Sequence, residues 1–123
     1  MTNFEIQSLF NGLATVRQDA TMRLPARTSF TITRNIKLLQ PIVEDMAESR
    51  IKVLETYGTR DEANPGMFNI PPENRQKVTE ELEALDKVDN DVSLIKIKLS
   101  DLDHVELSVQ VMEQLYPLIE EEG

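Results

Sequence analysis

The stretch Ser29–Tyr57, SFTITRNIKLLQPIVEDMAESRIKVLETY, decides how this chain folds. Taken in steps of four and three it gives Ile32, Ile36, Leu39, Val43, Met46, Arg50, Val53 and Tyr57. Arg50 is the exception among these; the other seven positions carry side chains with an apolar body to bury. At 3.6 residues per turn this spacing sets the eight side chains on one stripe, the seam of an amphipathic helix. The helix it predicts is about twice the usual length, which makes it the spine of the fold. A helix this long is expected to project beyond a modest core and to leave part of its seam for a partner chain.

Pro41 lies inside this helix. It removes one backbone hydrogen bond and clashes with the carbonyl four residues earlier, so a bend over 37–41 is expected. Tyr57-Gly58 supplies a stop, with Gly58 expected in the left-handed conformation after the last turn. Towards its start, Thr28, Phe30 and Ile32 alternate like a strand, whereas Phe30, Arg34 and Lys37 suit a helix. The start is placed near Ala26, with Thr28 or Ser29 as cap.

Upstream, Thr2-x-x-Glu5 has the form of a capping box. It predicts a helix to about residue 17, with Ile6, Leu9, Phe10, Leu13 and Val16 or Arg17 on one face. Asn11-Gly12 favours a turn and suggests a kink there. Residues 59–72 read as a long polar loop with turns at Asn64-Pro65-Gly66 and Pro71-Pro72, anchored by Met67, Phe68 and Ile70. Glu73–Lys87 is amphipathic through Val78, Leu82 and Leu85. The period then changes to two, with Ile95, Ile97 and Leu99 alternating with Lys96 and Lys98 as in a half-buried strand. Asp101–His104 turns the chain, Val105 and Leu107 suggest a returning strand, and Ser108 caps a last helix that Pro117 bends or shortens. Residues 120–123 read as a frayed acidic tail.

The expected fold is one α+β domain, mainly α. It comprises an N-terminal helix (1–18), the long bent central helix (26–58), a loop (59–72), a helix (73–87), a small C-terminal β-hairpin (92–107) and a last helix (108–120).

Charge narrows the function. The 123 residues carry a formal net charge of −9, which disfavours general nucleic-acid or anionic-membrane binding. Between Arg17 and Leu38, however, five cations face a single carboxylate, Asp19. There is no cysteine, so disulfides, thiolate catalysis and cysteine-ligated zinc are excluded. No apolar run is long enough to span a membrane and no signal peptide is visible, so a cytoplasmic location is expected.

Catalytic constellations are missing. His104, the one histidine, sits beside Asp101 and Asp103 on a polar turn and reads as a surface residue more readily than as a base or metal ligand. Asp86, Asp89 and Asp91 lack the glycine and closing glutamate of a calcium loop. The pairs Glu44-Asp45 and Glu80-Glu81 read as charged helix faces, without the apolar pocket that acid–base catalysis needs. No cofactor and no metal is expected. The basic stretch is the feature that points to a ligand: Arg23, Arg27, Thr28, Arg34 and Asn35 gather at the amino end of the long helix. That end carries free N–H groups and a partial positive charge, and arginine offers planar, bidentate donors to phosphate. These arginines can equally pair with the chain's own carboxylates. Arg50 on the seam either pairs with a buried acid or belongs to a site between subunits.

Three motifs carry a resemblance. Leu24-Pro25-Ala26-Arg27-Thr28-Ser29-Phe30-Thr31-Ile32-Thr33-Arg34-Asn35 resembles the Leu-Pro-x-Lys/Arg-x-Ser-Tyr-x-Ile-x-Lys-Asn stretch of small uncharacterised tailed-bacteriophage proteins. Leu54-Glu55-Thr56-Tyr57-Gly58 and the segment Ile97–Ser108 are similar to that family's helix ending and carboxyl-terminal pattern. Phe30 stands where tyrosine is common. The resemblance implies a viral origin and the host cytoplasm, and supplies no activity. The expectation is a non-enzymatic phage accessory protein that acts by binding, as a homo-oligomer, sequestering a small phosphate-bearing host molecule such as a nucleotide immune signal. The alternative is a virion morphogenesis factor or assembly chaperone that binds a phage structural protein.

Overall fold

The computed structural model describes residues 1–120; of the expected acidic tail, residues 121–123 lie outside the described part. Helix α1 spans Asn3–Gln18 and α2 spans Ala26–Tyr57, 32 residues with Pro41 inside. Strands β1 (Thr59–Arg60) and β2 (Phe68–Asn69) precede a 3-10 turn at Pro72–Asn74 and helix α3, Arg75–Asp86. Strand β3 (Ile97–Lys98), a 3-10 turn over Leu99–Leu102, helix α4 (Val109–Leu115), a second 3-10 turn over Tyr116–Leu118 and strand β4 (Ile119–Glu120) complete the fold. It is α+β and mainly α, built on a long bent helix.

The capping box forms in full. Thr2 Oγ1 accepts from the Glu5 N–H at 3.2 Å, and Glu5 Oε1 accepts from the Thr2 N–H at 3.0 Å. Two donors that no helical carbonyl reaches are thereby satisfied. Ile6, Leu9, Leu13 and Val16 are buried on one face of α1, and the helix runs through Gly12 without a break. The glycine answers to packing: a Cβ there would lie 2.7 Å from Gln114 Cβ on α4.

The seam of α2 is covered by the chain itself. Ile32, Ile36, Leu39 and Met46 are buried, and Val43, Arg50, Val53 and Tyr57 are half-buried. The front half joins α1, Ile97, Leu102, Leu115 and Leu118 in the main core, while the back half packs on α3. The seam therefore does not demand a second chain. Neither Thr28 nor Ser29 caps α2; Pro25 holds the cap position, with no side-chain hydrogen bond. Gly58 is extended (φ −148°) and not left-handed. Glycine is needed there for closeness, because a Cβ would run into Ile70 Cδ1 and lie 2.7 Å from the Asn69 carbonyl oxygen.

Two pairings differ from the sequence expectation. The 59–72 loop holds a small antiparallel ladder, Thr59 with Asn69 and Arg60 with Phe68, closed by the Met67 N–H donating to the Asn64 carbonyl at 2.9 Å. Met67 is exposed there and anchors nothing. The 92–107 hairpin does not form. Strand β3 instead pairs in parallel with β4, Ile97 with Ile119 and Lys98 with Glu120. Residues 99–102 tighten into a 3-10 turn that buries Leu102, which leaves 105–107 unpaired. Pro117 ends α4 early and frees 119–120 to become the partner strand.

Candidate functional site

Asn35 links the long helix to β3. Its side chain is fully buried. Nδ2 donates to the Ile95 carbonyl at 2.9 Å, and Oδ1 accepts from the Ile95 N–H at 2.9 Å. A single amide thus satisfies both backbone groups of the residue leading into β3, and the segment 95–98 is held against the first turns of α2.

The result is a cleft of about 210 Å³ lined by Arg27, Thr28 and Thr31 of α2, by Ile95–Lys98, and by Asp101 and Glu120. The leading N–H groups of a helix point outward without internal partners and carry the positive end of its dipole. Here Pro25 at the cap position offers no side-chain hydrogen bond, and among the described residues no side chain caps them. Thr28 adds a second feature. It is 2% exposed, and its Oγ1 is the one buried side-chain polar atom without a hydrogen-bond partner among the described residues. Thr31 and Thr33 differ, since their hydroxyls donate to carbonyls four residues back, those of Arg27 and Ser29. An unpaired buried hydroxyl costs about 1–3 kcal/mol, and such groups deserve a partner.

Three cations line the cleft. The Arg27 guanidinium reaches Asp101 Oδ1 at 3.3 Å, with the arginine side chain 74% exposed. Lys96 Nζ donates to the Pro117 carbonyl at 2.7 Å, and Lys98 is exposed. Against them stand Asp101 and Glu120, so among the described residues the lining carries one net positive charge in a chain that is strongly acidic overall.

The six residues singled out in the sequence do not converge. Arg27 and Thr28 share the cleft. Asn35 is spent on Ile95 and positions the lysine arm without facing a ligand. Arg34 lies on the outer face of α2, its guanidinium 5.8 Å from the Phe30 ring centroid. Arg50 pairs with Asp86 at 3.1 Å; it is about 35 Å from Arg27 along the helix at 1.5 Å per residue. Arg23 lines a separate cleft of about 430 Å³ with Asp19, Thr21, His104 and Glu106. In that cleft Arg23 faces two carboxylates, Asp19 and Glu106. The Asp19 carboxyl is held below its usual range by hydrogen bonds from the Thr21 hydroxyl and N–H.

Sequence reasoning missed Lys96 and Lys98. Their signal was present as the polar half of the β3 alternation, but nothing local indicated which helix end that half would face. Among the described residues no group of three or more His, Asp or Glu side chains is arranged to hold a metal ion, and no helix is long and apolar enough to cross a membrane. No family model, curated protein or solved structure matches this chain.

Proposed function

We propose that this chain is a non-enzymatic binding protein that takes a small anionic group, of the phosphate-monoester class, at the amino end of α2. The observation that carries the reading is the unpartnered, buried Thr28 hydroxyl beneath an uncapped helix start, flanked by Arg27, Lys96 and Lys98. Helix N–H groups, a hydroxyl donor and a bidentate guanidinium are the donors that phosphate recognition uses. At about 210 Å³ the cleft is smaller than the roughly 300–1,000 Å³ of sites that enclose a drug-sized ligand. It suits one phosphate group, with the remainder of a nucleotide left in solvent. Binding between subunits through Arg23, Arg27, Arg34 and Arg50 together is not part of this reading. The phage resemblance adds a setting, an accessory protein acting in the host cytoplasm.

The test is a titration with inorganic phosphate and with adenosine 5′-monophosphate, followed by amide chemical shifts and by melting temperature. Saturating ligand should raise the melting temperature, since a ligand that binds only the native state at about 100 times its Kd stabilises by about 2.7 kcal/mol. Thr28→Val should leave the free protein as stable or more stable while weakening binding, because it removes a hydroxyl that lacks a partner until the anion arrives. Arg27→Ala should abolish binding, and Arg23→Ala should not. Unmoved amide signals at 26–28 in both titrations would sink the proposal.

A further inference from the structure

The outer face of α2 repeats the four-three spacing of the seam, half a turn away. Phe30, Arg34, Lys37, Pro41, Glu44, Glu48, Lys52 and Glu55 all fall on it, with Asp45 beside Glu44, and all are exposed. Phe30 is 62% and the neighbouring Leu38 45% exposed. The charges on this face are sorted. Before Pro41 it carries only cations, Arg34 and Lys37. After Pro41 it carries Glu44, Asp45, Glu48 and Glu55, relieved by Lys52. Arg34, Lys37 and Asp45 make no ion pair among the described residues, and Glu48 meets only Lys52, at 3.5 Å on an exposed turn.

We infer that this face binds a second copy of the chain, antiparallel, with the two-fold axis passing near Pro41. A two-fold interface brings residue i against j and j against i, so the pattern must complement itself when reversed about its centre. This one does. Arg34 stands seven residues before Pro41 and Glu48 seven after; Lys37 stands four before and Asp45 four after. Reversal therefore sets Arg34 against Glu48 and Lys37 against Asp45, each twice. It also brings Phe30 opposite Lys52, an ammonium suited to a ring face. An unrelated partner would need the same order of charges in reverse, whereas a second copy supplies it by symmetry. With a net charge of −9 on each chain, other face-to-face encounters repel.

The bend sets the strength. A long helix curves with its convex side to solvent, and Pro41 lies on that side. Two convex faces touch over their middle turns, so the Lys37–Asp45 and Arg34–Glu48 pairs carry the contact and the ends splay. From Arg34 to Glu48 is about 21 Å of helix. The interface is then smaller than the roughly 1,000 Å² of a stable complex, and the dimer is a reversible one that assembles as concentration rises. The two α2 amino ends lie about 45 Å apart in it, on opposite sides of the axis. Dimerisation and anion binding are thus separate properties, and either survives the loss of the other.

Sedimentation velocity over a concentration series tests this. The wild type should shift reversibly from monomer towards dimer mass. The variant R34E/K37E, with both cations before Pro41 reversed, and the variant D45K/E48K, with two of the acids after it reversed, should each stay monomeric alone and form a dimer when mixed in equal amounts. The fourfold variant should dimerise by itself again. Far-ultraviolet circular dichroism checks that each remains helical. Because the chain has no cysteine, Pro41→Cys with a short bis-maleimide gives a readout that needs no charge variant: it should yield cross-linked dimer, and Lys77→Cys on the exposed side of α3 should not. A wild type that stays monomeric up to its solubility limit, or a dimer indifferent to both charge reversals, would overturn the inference.

Discussion

Replacing Asn35 by alanine should loosen the fold and disable the cleft together. The amide makes two 2.9 Å hydrogen bonds to the backbone of Ile95 from a fully buried position. Each such bond contributes about 0.5–1.5 kcal/mol net, and an orphaned buried donor or acceptor costs about 1–3 kcal/mol. Ile95 as a whole is 41% exposed and its bonds to Asn35 are only part-buried, so water reaches the freed backbone groups in part and offsets some of that penalty. The expected loss is about 2–3 kcal/mol, a large share of the roughly 5–15 kcal/mol total of an ordinary domain. For a chain of this size it corresponds to a fall in melting temperature of about 6–15 °C. Urea unfolding followed by circular dichroism measures it, read as a lower midpoint at unchanged slope. Asn35→Asp should be at least as damaging, because a carboxylate cannot donate to the Ile95 carbonyl and brings a buried charge. The phosphate titration on refolded Asn35→Ala should show weaker binding, since Lys96 and Lys98 are no longer held to α2. A midpoint shift worth less than about 0.5 kcal/mol would refute the reasoning that this amide joins the two halves of the site.

Three other outcomes follow from the packing and the titrating groups. Gly12→Ala should lower the melting temperature although alanine is the better helix former by about 1 kcal/mol: its Cβ would sit 2.7 Å from Gln114 Cβ and 3.4 Å from Leu115 Cδ2, and overpacking of this kind costs about 1–3 kcal/mol. A double-mutant cycle on Arg50 and Asp86, whose side chains are 37% and 35% exposed, should give a coupling below about 1 kcal/mol, as for other solvated ion pairs. Acid should weaken the fold partly through Glu5 and Asp19. The Glu5 carboxyl is lowered first by the hydrogen bond from the Thr2 N–H, and Asp19 by the Thr21 hydroxyl. A carboxyl with a lower pKa in the folded state contributes above its unfolded pKa near 4 and loses that contribution as pH falls through the folded value. The urea midpoint should therefore fall below about pH 4, and Glu5→Gln, which removes the titrating carboxyl itself, should flatten that fall.

Local regularities were legible without the fold. The seam from Ile32 to Tyr57, the capping box at Thr2 and Glu5 and the Ser108 cap all rest on interactions within a few residues. Such interactions repeat with the helix period or depend on one side chain meeting a nearby backbone group. The clustering of cations before residue 38 was visible in the same way, and so were the alternating lysines at 96 and 98.

Tertiary structure decided which of these features meet. Alternation assigned faces to Ile97 and Lys98 but carried no information about their partner, and the partner came from beyond Pro117, about twenty residues away. Asn35 looked like a polar member of a basic stretch until Ile95 came to lie against it. The arginines were drawn apart because a straight count along the chain becomes a rotation around α2 and a long rise along it: Arg27 turns towards β3, Arg34 turns to solvent, and Arg50 reaches α3. Periodicity specifies direction from the helix axis. Only the packing of non-neighbouring segments specifies what lies in that direction, and it was this packing that left a buried hydroxyl beneath an open helix end.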